Sequence, residues 1–226
     1  MANLENIHNY VDNTIQKYIF LISKKYSINY DELYQEWVNP TENKKINKSF
    51  QSDFSIELLK EHYFNEKRYV QEKISISKKY NNRTIRNSGI PEYISENIIK
   101  FAIQKQGDNS VYWNCEKGDL VSDVSGKLEC KCFTSNGPIS FSPSSGWDKI
   151  YFLDARQWLK DKYTIYEVEL KYSSNEWGEI MLNKTETFRD QCKQKRRPRI
   201  QWDKLYPQIS SYCKVIFDDT FYNLII

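Results

Sequence analysis

The sequence contains few of the residues that bind metals through nitrogen or sulfur. Only two histidines, His8 and His62, occur among 226 residues, and neither has a Cys or His at ligand spacing. The five cysteines, at positions 115, 130, 132, 192 and 213, lack the paired spacing of a structural zinc site or a secreted disulfide framework. A histidine-metal site is therefore not favoured, and we expect a protein of the reducing cytoplasm.

The chain also lacks long apolar runs and several well-known motifs. No stretch approaches the roughly 18 apolar residues of a membrane span, so no membrane partner is expected. The glycine patterns of P-loop and dinucleotide-binding proteins and the G-x-S-x-G element are absent, so no nucleotide cofactor is expected. With 33 basic and 30 acidic residues the net charge is only +3, so any attraction to nucleic acid must come from a local basic surface.

Helical spacing of apolar residues is typical of the first part of the chain. It predicts amphipathic helices over residues 4–26, about 30–38 and 54–79, and Pro91 is well placed to begin a helix that ends at about residue 106. We therefore expect a helical region over residues 1–80, in one compact unit with a core over 81–226. The helical region is either a scaffold packed on that core or an arm for dimerisation and DNA gripping.

After residue 106 the pattern changes to strands, which predicts a mixed α/β fold. Strands are predicted at about 111–114, 119–122, 127–133, 149–153, 164–171 and 213–217, with a helix within 184–196 or near 203–212. Residues 134–147, rich in Ser, Pro, Gly and Asn, form the longest segment predicted to lack regular structure. A loop of that length is more often functional than filler.

A predicted hairpin gathers the residues of chemical interest. Asp123 to Gly126 have turn chemistry, so the flanking strands would bring Asp119 opposite Glu129. Because side chains alternate along a strand, Glu129 and Lys131 share one face, while Leu128, Cys130 and Cys132 lie on the other. Asp123 is the competing acidic residue, but it lies in the turn itself, where Asp is favoured for local hydrogen bonding.

Two carboxylates and an ammonium in one place suggest metal-assisted phosphodiester hydrolysis. Hard oxygen ligands suit Mg²⁺, which we expect Asp119 and Glu129 to hold, with the backbone carbonyl of Cys130 completing the coordination. Lys131 would orient or help to deprotonate the attacking water and stabilise the pentavalent phosphate. The alternative is an ordinary hairpin with a surface salt bridge.

Two further features could belong to the same site. Glu96 lies on the helix before the hairpin and is expected near the metal, although a solvated helix face would explain it equally well. A basic cluster at the other end of the chain is suited to contacts with phosphates or base edges, the alternative being a solvated turn; it comprises Lys193, Lys195, Arg196, Arg197 and Arg199.

The pattern Gly118-Asp119, then Glu129-Cys130-Lys131, preceded by a helix from Pro91 to Glu96, resembles the PD-(D/E)xK nuclease superfamily and, within it, type II restriction endonucleases. The resemblance covers roughly residues 91–155, and Gly118 stands where the family often has proline. It implies a mixed β-sheet core flanked by helices, and Mg²⁺-dependent cleavage of double-stranded DNA to 5′-phosphate ends by a homodimer at a palindromic site. Length and composition are also similar to those of small endonucleases that cut eight-base-pair A/T-rich palindromes.

The resemblance also places two segments of the long loop towards DNA. These are residues 134–137 and 140–147, with Ser135, Asn136 and Ser140 as candidate groove contacts. Two other functions are open: a repair or recombination nuclease that recognises branched DNA, and a non-catalytic DNA-binding module in which Glu129 and Lys131 form a structural pair.

Overall fold

The computed structural model describes residues 53–79, 89–113, 119–141 and 146–226. The helices in these ranges are α1 (Ile56–Lys79), α2 (Glu92–Lys105), α3 (Glu176–Glu179), α4 (Phe188–Lys193), α5 (Trp202–Ile209) and α6 (Phe221–Leu224). The strands are β1 (Tyr112–Trp113), β2 (Leu120–Ser122), β3 (Gly126–Phe133), β4 (Pro138–Ser140), β5 (Lys149–Gln157), β6 (Lys162–Val168), β7 (Arg199–Gln201) and β8 (Cys213–Thr220). The helices predicted at 4–26 and about 30–38 lie outside the described residues.

A mixed six-stranded sheet forms the centre of the fold, in the order β1-β2-β3-β5-β6-β8. Its neighbouring strands are antiparallel, except that β3 and β5 run parallel, with Lys131 beside Phe152. A mixed α/β fold with a restriction-endonuclease-like sheet flanked by helices was the prediction, and it is confirmed. Each predicted strand is present within a few residues, and both alternative helix positions, 184–196 and 203–212, contain a helix.

The sheet separates two hydrophobic clusters. The first contains Leu128 and Cys130 of β3 together with residues of α1, α2 and α6. The second contains Phe133 of β3 with α5 residues such as Trp202. This alternation confirms that β3 buries Leu128 and Cys130 on the face away from Glu129 and Lys131.

Helix α1 packs into the first cluster. The ring of Tyr63 stacks on Phe221 with centroids 3.8 Å apart, and its hydroxyl donates to Asp161 Oδ1 at 2.8 Å. Lys67 pairs with the same Asp161 at 2.6 Å. The helix predicted over 54–79 is therefore confirmed, as Ile56–Lys79, and it packs on the core. The division of the chain at residue 80 stays a prediction.

Helix α2 confirms the helix predicted after Pro91. Pro91 is at the N-cap position with φ −54°, so the helix begins one residue later than predicted, at Glu92. Ile94, Ile98 and Ala102 are buried on one stripe, as the helical spacing requires.

A second, two-stranded sheet was missed by the sequence analysis. Strand β4 lies inside the segment 134–147 that was predicted to lack regular structure, and it pairs antiparallel with β7. Each strand has only three residues, too few for a clear alternation of apolar and polar side chains. Below, these two strands are called the β4–β7 ribbon.

No helix in the described ranges is long and apolar enough to cross a membrane.

Candidate active site

The β2–β3 hairpin forms in the predicted register. Leu120 pairs with Leu128 and Ser122 with Gly126, so one further step places Asp119 opposite Glu129. The backbone N–H of Cys130 donates to Asp119 Oδ2 at 2.7 Å, which fixes that carboxylate against β3. Asp123 lies in the turn, as predicted.

Gly126 closes the hairpin turn. Its φ of +76° is strained for residues with a side chain, and an added Cβ would lie 2.3 Å from Asp148 Oδ2. That carboxylate accepts a hydrogen bond from the N–H of Lys127 at 3.1 Å, while the N–H of Asp148 donates to the Lys127 carbonyl at 2.8 Å. The start of β3 is thus held to the start of β5, which fixes the strand that carries Glu129.

Asp119, Glu129 and Lys131 meet in space. Lys131 Nζ lies 2.6 Å from Glu129 Oε1 and 3.7 Å from Asp119 Oδ2, and it donates to the Cys130 carbonyl oxygen at 3.0 Å. The three oxygens expected to hold a metal therefore surround one ammonium group. The Glu129 and Lys131 side chains are only 10% and 18% exposed, unlike those of a typical surface salt bridge.

Electrostatics keep Lys131 charged. Burial lowers its pKa, but the Asp119 and Glu129 carboxylates together outweigh that effect, so that the pKa lies above its ordinary value. In this arrangement Lys131 is a cation that balances two acids, and it is a poor proton acceptor at neutral pH.

Glu96 faces the same site from α2. Burial, and next the charge of Asp119, raise the pKa of Glu96 to about 7, although a hydrogen bond from Trp113 lowers it in part. That bond runs from the indole Nε1 to Glu96 Oε2 over 2.8 Å. Glu96 is therefore not on a fully solvated helix face.

The two cysteines of β3, Cys130 and Cys132, pack in the first hydrophobic cluster. Burial raises the pKa of Cys130 well above its usual value, with Asp119 adding to the effect, and burial raises that of Cys132 to about 12. Both thiols are neutral at physiological pH and pack as small apolar side chains.

The donor set suits Mg²⁺. Two carboxylates and a backbone carbonyl already surround a cationic group, and these hard oxygens are the ligands that Mg²⁺ prefers. Within the described ranges no three Asp, Glu, His or Cys side chains are grouped closely enough to hold a metal by themselves. Water and substrate phosphates would then complete the shell, as is usual for this ion.

The β4–β7 ribbon brings the predicted groove contacts together. Ile139 and Ile200 pair across it and are buried in the second cluster. Because side chains alternate, the face of the ribbon opposite the two isoleucines carries two cross-strand pairs. These are Pro138 with Gln201 and Ser140 with Arg199. Ser135 and Asn136 are exposed in the loop that leads into the ribbon. Residues 142–145 of the second predicted segment lie outside the described residues.

The basic cluster is exposed and continuous with this ribbon. Lys193 ends α4, Arg199 begins β7, and the five cationic side chains of 193–199 are all exposed. Arg196 contacts Glu186 at 3.3 Å through a solvent-exposed pair. The pairing of Ser140 with Arg199 therefore joins members of two predicted groups of DNA contacts that are some 60 residues apart in the sequence.

A family model described as Bsp6I restriction endonuclease matches residues 59–206, well over half of the chain. The chain belongs to the Bsp6I restriction endonuclease family. A curated relative, the type II restriction enzyme Bsp6I of Bacillus sp. strain RFL6, is 33% identical over 118 residues. The match covers 50% of this chain and 63% of that enzyme, so the chain spans less than two thirds of its relative. No solved structure matches the chain significantly.

The region matched by the Bsp6I family contains every candidate site residue, and also several that the sequence analysis missed. Arg156, at the end of β5, donates to both oxygens of Asp154 through Nε, to Asn136 Oδ1 at 2.9 Å and to Asp203 Oδ1 at 3.0 Å. Gln201 of β7 donates to the Asn136 carbonyl at 3.1 Å. Asp154 and Arg156 are two residues apart on one strand, so the alternation that identified Glu129 and Lys131 could have indicated this pair as well.

Proposed function

We propose that this member of the Bsp6I family is a type II restriction endonuclease that hydrolyses double-stranded DNA with Mg²⁺, at a palindromic site and to 5′-phosphate ends. The observation that carries the proposal is that the Lys131 ammonium lies 3.7 Å from an Asp119 oxygen and 2.6 Å from a Glu129 oxygen. Family membership supports the same class of reaction.

The carboxylates would act as the metal ligands. Asp119 is held in place by the Cys130 N–H, and Glu129 is fixed on the central part of β3, so neither must reorganise far to bind a cation. Mg²⁺ at this position would polarise the scissile phosphate and lower the pKa of a bound water. The Lys131 ammonium contacts the same oxygens, so it would have to turn away for them to hold a cation.

Lys131 would then act on the phosphate. An ammonium is suited to donate hydrogen bonds to a phosphate oxygen and to stabilise the charge that develops in the transition state. Its other role predicted from the sequence, to orient or help to deprotonate the attacking water, stays a prediction, because a bound cation would neutralise the carboxylates that raise the pKa of Lys131.

The β4–β7 ribbon and the basic cluster would contact DNA. The major groove admits a two-stranded ribbon, and Asn, Gln and Arg side chains pair with base edges there. Exposed cations such as Lys195 and Arg197 would neutralise phosphates next to it. A homodimer would match the two-fold symmetry of a palindromic site.

Three finer assignments rest on the sequence pattern. The carboxylate hairpin following α2 supports membership of the PD-(D/E)xK superfamily. An eight-base-pair A/T-rich recognition site and a cytoplasmic location stay predictions, the first from the resemblance and the second from cysteine usage.

The test is cleavage of phage λ and bacterial genomic DNA by the purified protein in Mg²⁺, in Ca²⁺ and in EDTA. We expect discrete fragments with Mg²⁺ alone, and sequencing of their ends gives the site. Cutting confined to nicked or branched substrates would support a repair nuclease instead. Binding without any cleavage would support a non-catalytic module in which Glu129 and Lys131 are a structural pair.

A further inference from the structure

Asn136 is held by two hydrogen bonds that leave the NH₂ group of its side chain available. Its amide oxygen accepts from Arg156 Nη1 at 2.9 Å, and its backbone carbonyl accepts from Gln201 Nε2 at 3.1 Å. A guanidinium has no acceptor, so the atom facing Arg156 must be the amide oxygen, and this settles the orientation of the amide. Asn136 is exposed, and within the described part of the chain no hydrogen bond is made by its NH₂ group.

Arg156 is itself fixed to the catalytic sheet. It binds Asp154 through Nε at 3.0 Å and 3.1 Å and through Nη2 at 2.6 Å. Asp154 is paired with Phe133 across the parallel strands β5 and β3, and Phe133 lies two residues after Lys131. The guanidinium also lies 5.5 Å from the centre of the Phe133 ring. These contacts form a short path from the catalytic strand to the tip of the loop before the β4–β7 ribbon.

We propose that Arg156 is a positioning residue for sequence recognition: it fixes the Asn136 amide so that the NH₂ group, and not the oxygen, faces the bases. This inference rests on the proposed function. It assigns Asn136 to acceptor atoms on base edges, such as guanine O6 and N7 or thymine O4 in the major groove. A bidentate contact to adenine would have to share the amide oxygen with Arg156, through the second lone pair of that oxygen.

The network explains why a restriction enzyme would place this arginine here. Recognition and cleavage must be coupled so that the scissile phosphate reaches Lys131 only when the bases match. Asn136 stands on a loop, which alone would position its amide poorly. Fixing both its side chain and its backbone to strands of the two sheets makes the contact selective, because a mismatched base then leaves the amide donors without partners.

The experiment measures selectivity with a randomised DNA library, so that the site need not be known beforehand. Wild type, Arg156→Met, Asn136→Ala and the double variant cleave the library in Mg²⁺, and the cut ends are sequenced. Arg189→Met is the matched control, since that arginine makes an exposed ion pair with Glu179 at 2.6 Å. Melting temperatures of all five proteins are recorded.

We expect both single variants to lose selectivity at the same base position, by about tenfold relative to the preferred base. The double variant should lose no more than either single variant, because Arg156 acts through Asn136. Arg189→Met should retain the wild-type preference. Asn136→Ala leaves Asp154 paired with Arg156. This variant therefore still tests the role of Asn136 if Arg156→Met folds poorly.

Several results would overturn the inference. Unchanged selectivity in Arg156→Met or Asn136→Ala would do so, as would losses at different positions or losses that multiply in the double variant. Failure of the proposed function is seen separately, in the wild-type arm: if wild type gives no sequence-selective ends, the proposed function and this inference both fall.

Discussion

Replacing Lys131 with Met should destabilise the metal-free protein. The ammonium is 2.6 Å from Glu129 Oε1 and 3.7 Å from Asp119 Oδ2, and these side chains are 10% and 26% exposed. Removing one partner of a buried ion pair costs about 3–5 kcal/mol, because the remaining charge is left without compensation. Since Asp119 is partly solvated, we expect a loss of about 3 kcal/mol, the lower end of that range.

The assay is thermal unfolding at pH 8 in EDTA. A loss of that size lowers the melting temperature by about 6–12 °C for a chain of this length. Adding Ca²⁺ should then stabilise Lys131→Met more than wild type, since the ion enters an oxygen cluster that no longer contains an ammonium.

Lys171→Met provides the control. Its Nζ lies 3.8 Å from Asp148 Oδ1, but its side chain is 70% exposed, so that the loss should be under about 1 kcal/mol. If Lys131→Met melted in EDTA within a degree of wild type, the two carboxylates would not depend on this ammonium, and the described site geometry would be refuted.

Three further predictions concern the site and its support. Burial and Asp119 raise the pKa of Glu96 from 4.5 to about 7, so in EDTA its contribution to the free energy of unfolding is present below pH 4.5 and lost as pH rises through 7. Between pH 4.5 and 7 the free energy of unfolding of wild type should therefore fall by up to about 3 kcal/mol relative to that of Glu96→Gln, as measured by urea titration. Gly126→Ala should cost about 1–2 kcal/mol in the same assay, because it combines a positive φ with a contact on Asp148. Replacing Arg196 and Arg197 with Gln should reduce the salt slope of DNA binding in Ca²⁺ by about 2.

Each of these has a result that would contradict it. A Glu96→Gln variant with the pH profile of wild type would show that Glu96 titrates at its ordinary pKa. An unchanged stability of Gly126→Ala would mean that neither the positive φ nor the contact with Asp148 costs free energy at this position. An unchanged salt slope would place both arginines away from phosphates.

The sequence predicted the β2–β3 hairpin of the candidate site well because local rules determine it. A turn sequence, the alternation of side chains along each strand and one favourable strand register are sufficient to bring Asp119 to Glu129 and Lys131. Helix α2 was predicted for a similar reason, since Pro91 and the stripe of Ile94, Ile98 and Ala102 are local signals.

The β4–β7 ribbon and its contacts could not be predicted in the same way. Strands β4 and β7 have three residues each, and their pairing joins segments about 60 residues apart. The contact of Arg156 with Asn136 depends on the parallel pairing of β3 and β5, which places the ends of both strands at one edge. Such tertiary contacts leave little trace in local periodicity. Alternation along β5 could have indicated the Asp154–Arg156 pair, but not the contacts of Arg156 and Gln201 with Asn136.

The most direct test of the central claim compares wild type with Glu129→Gln, with Glu179→Gln as a control at an exposed carboxylate. Cleavage of a DNA fragment containing the site is measured in Mg²⁺, and binding of the same fragment in Ca²⁺. We predict that Glu129→Gln loses cleavage by orders of magnitude while it still binds the fragment, and that Glu179→Gln behaves as wild type. Cleavage by Glu129→Gln at the wild-type rate would contradict the assignment of this hairpin as the active site.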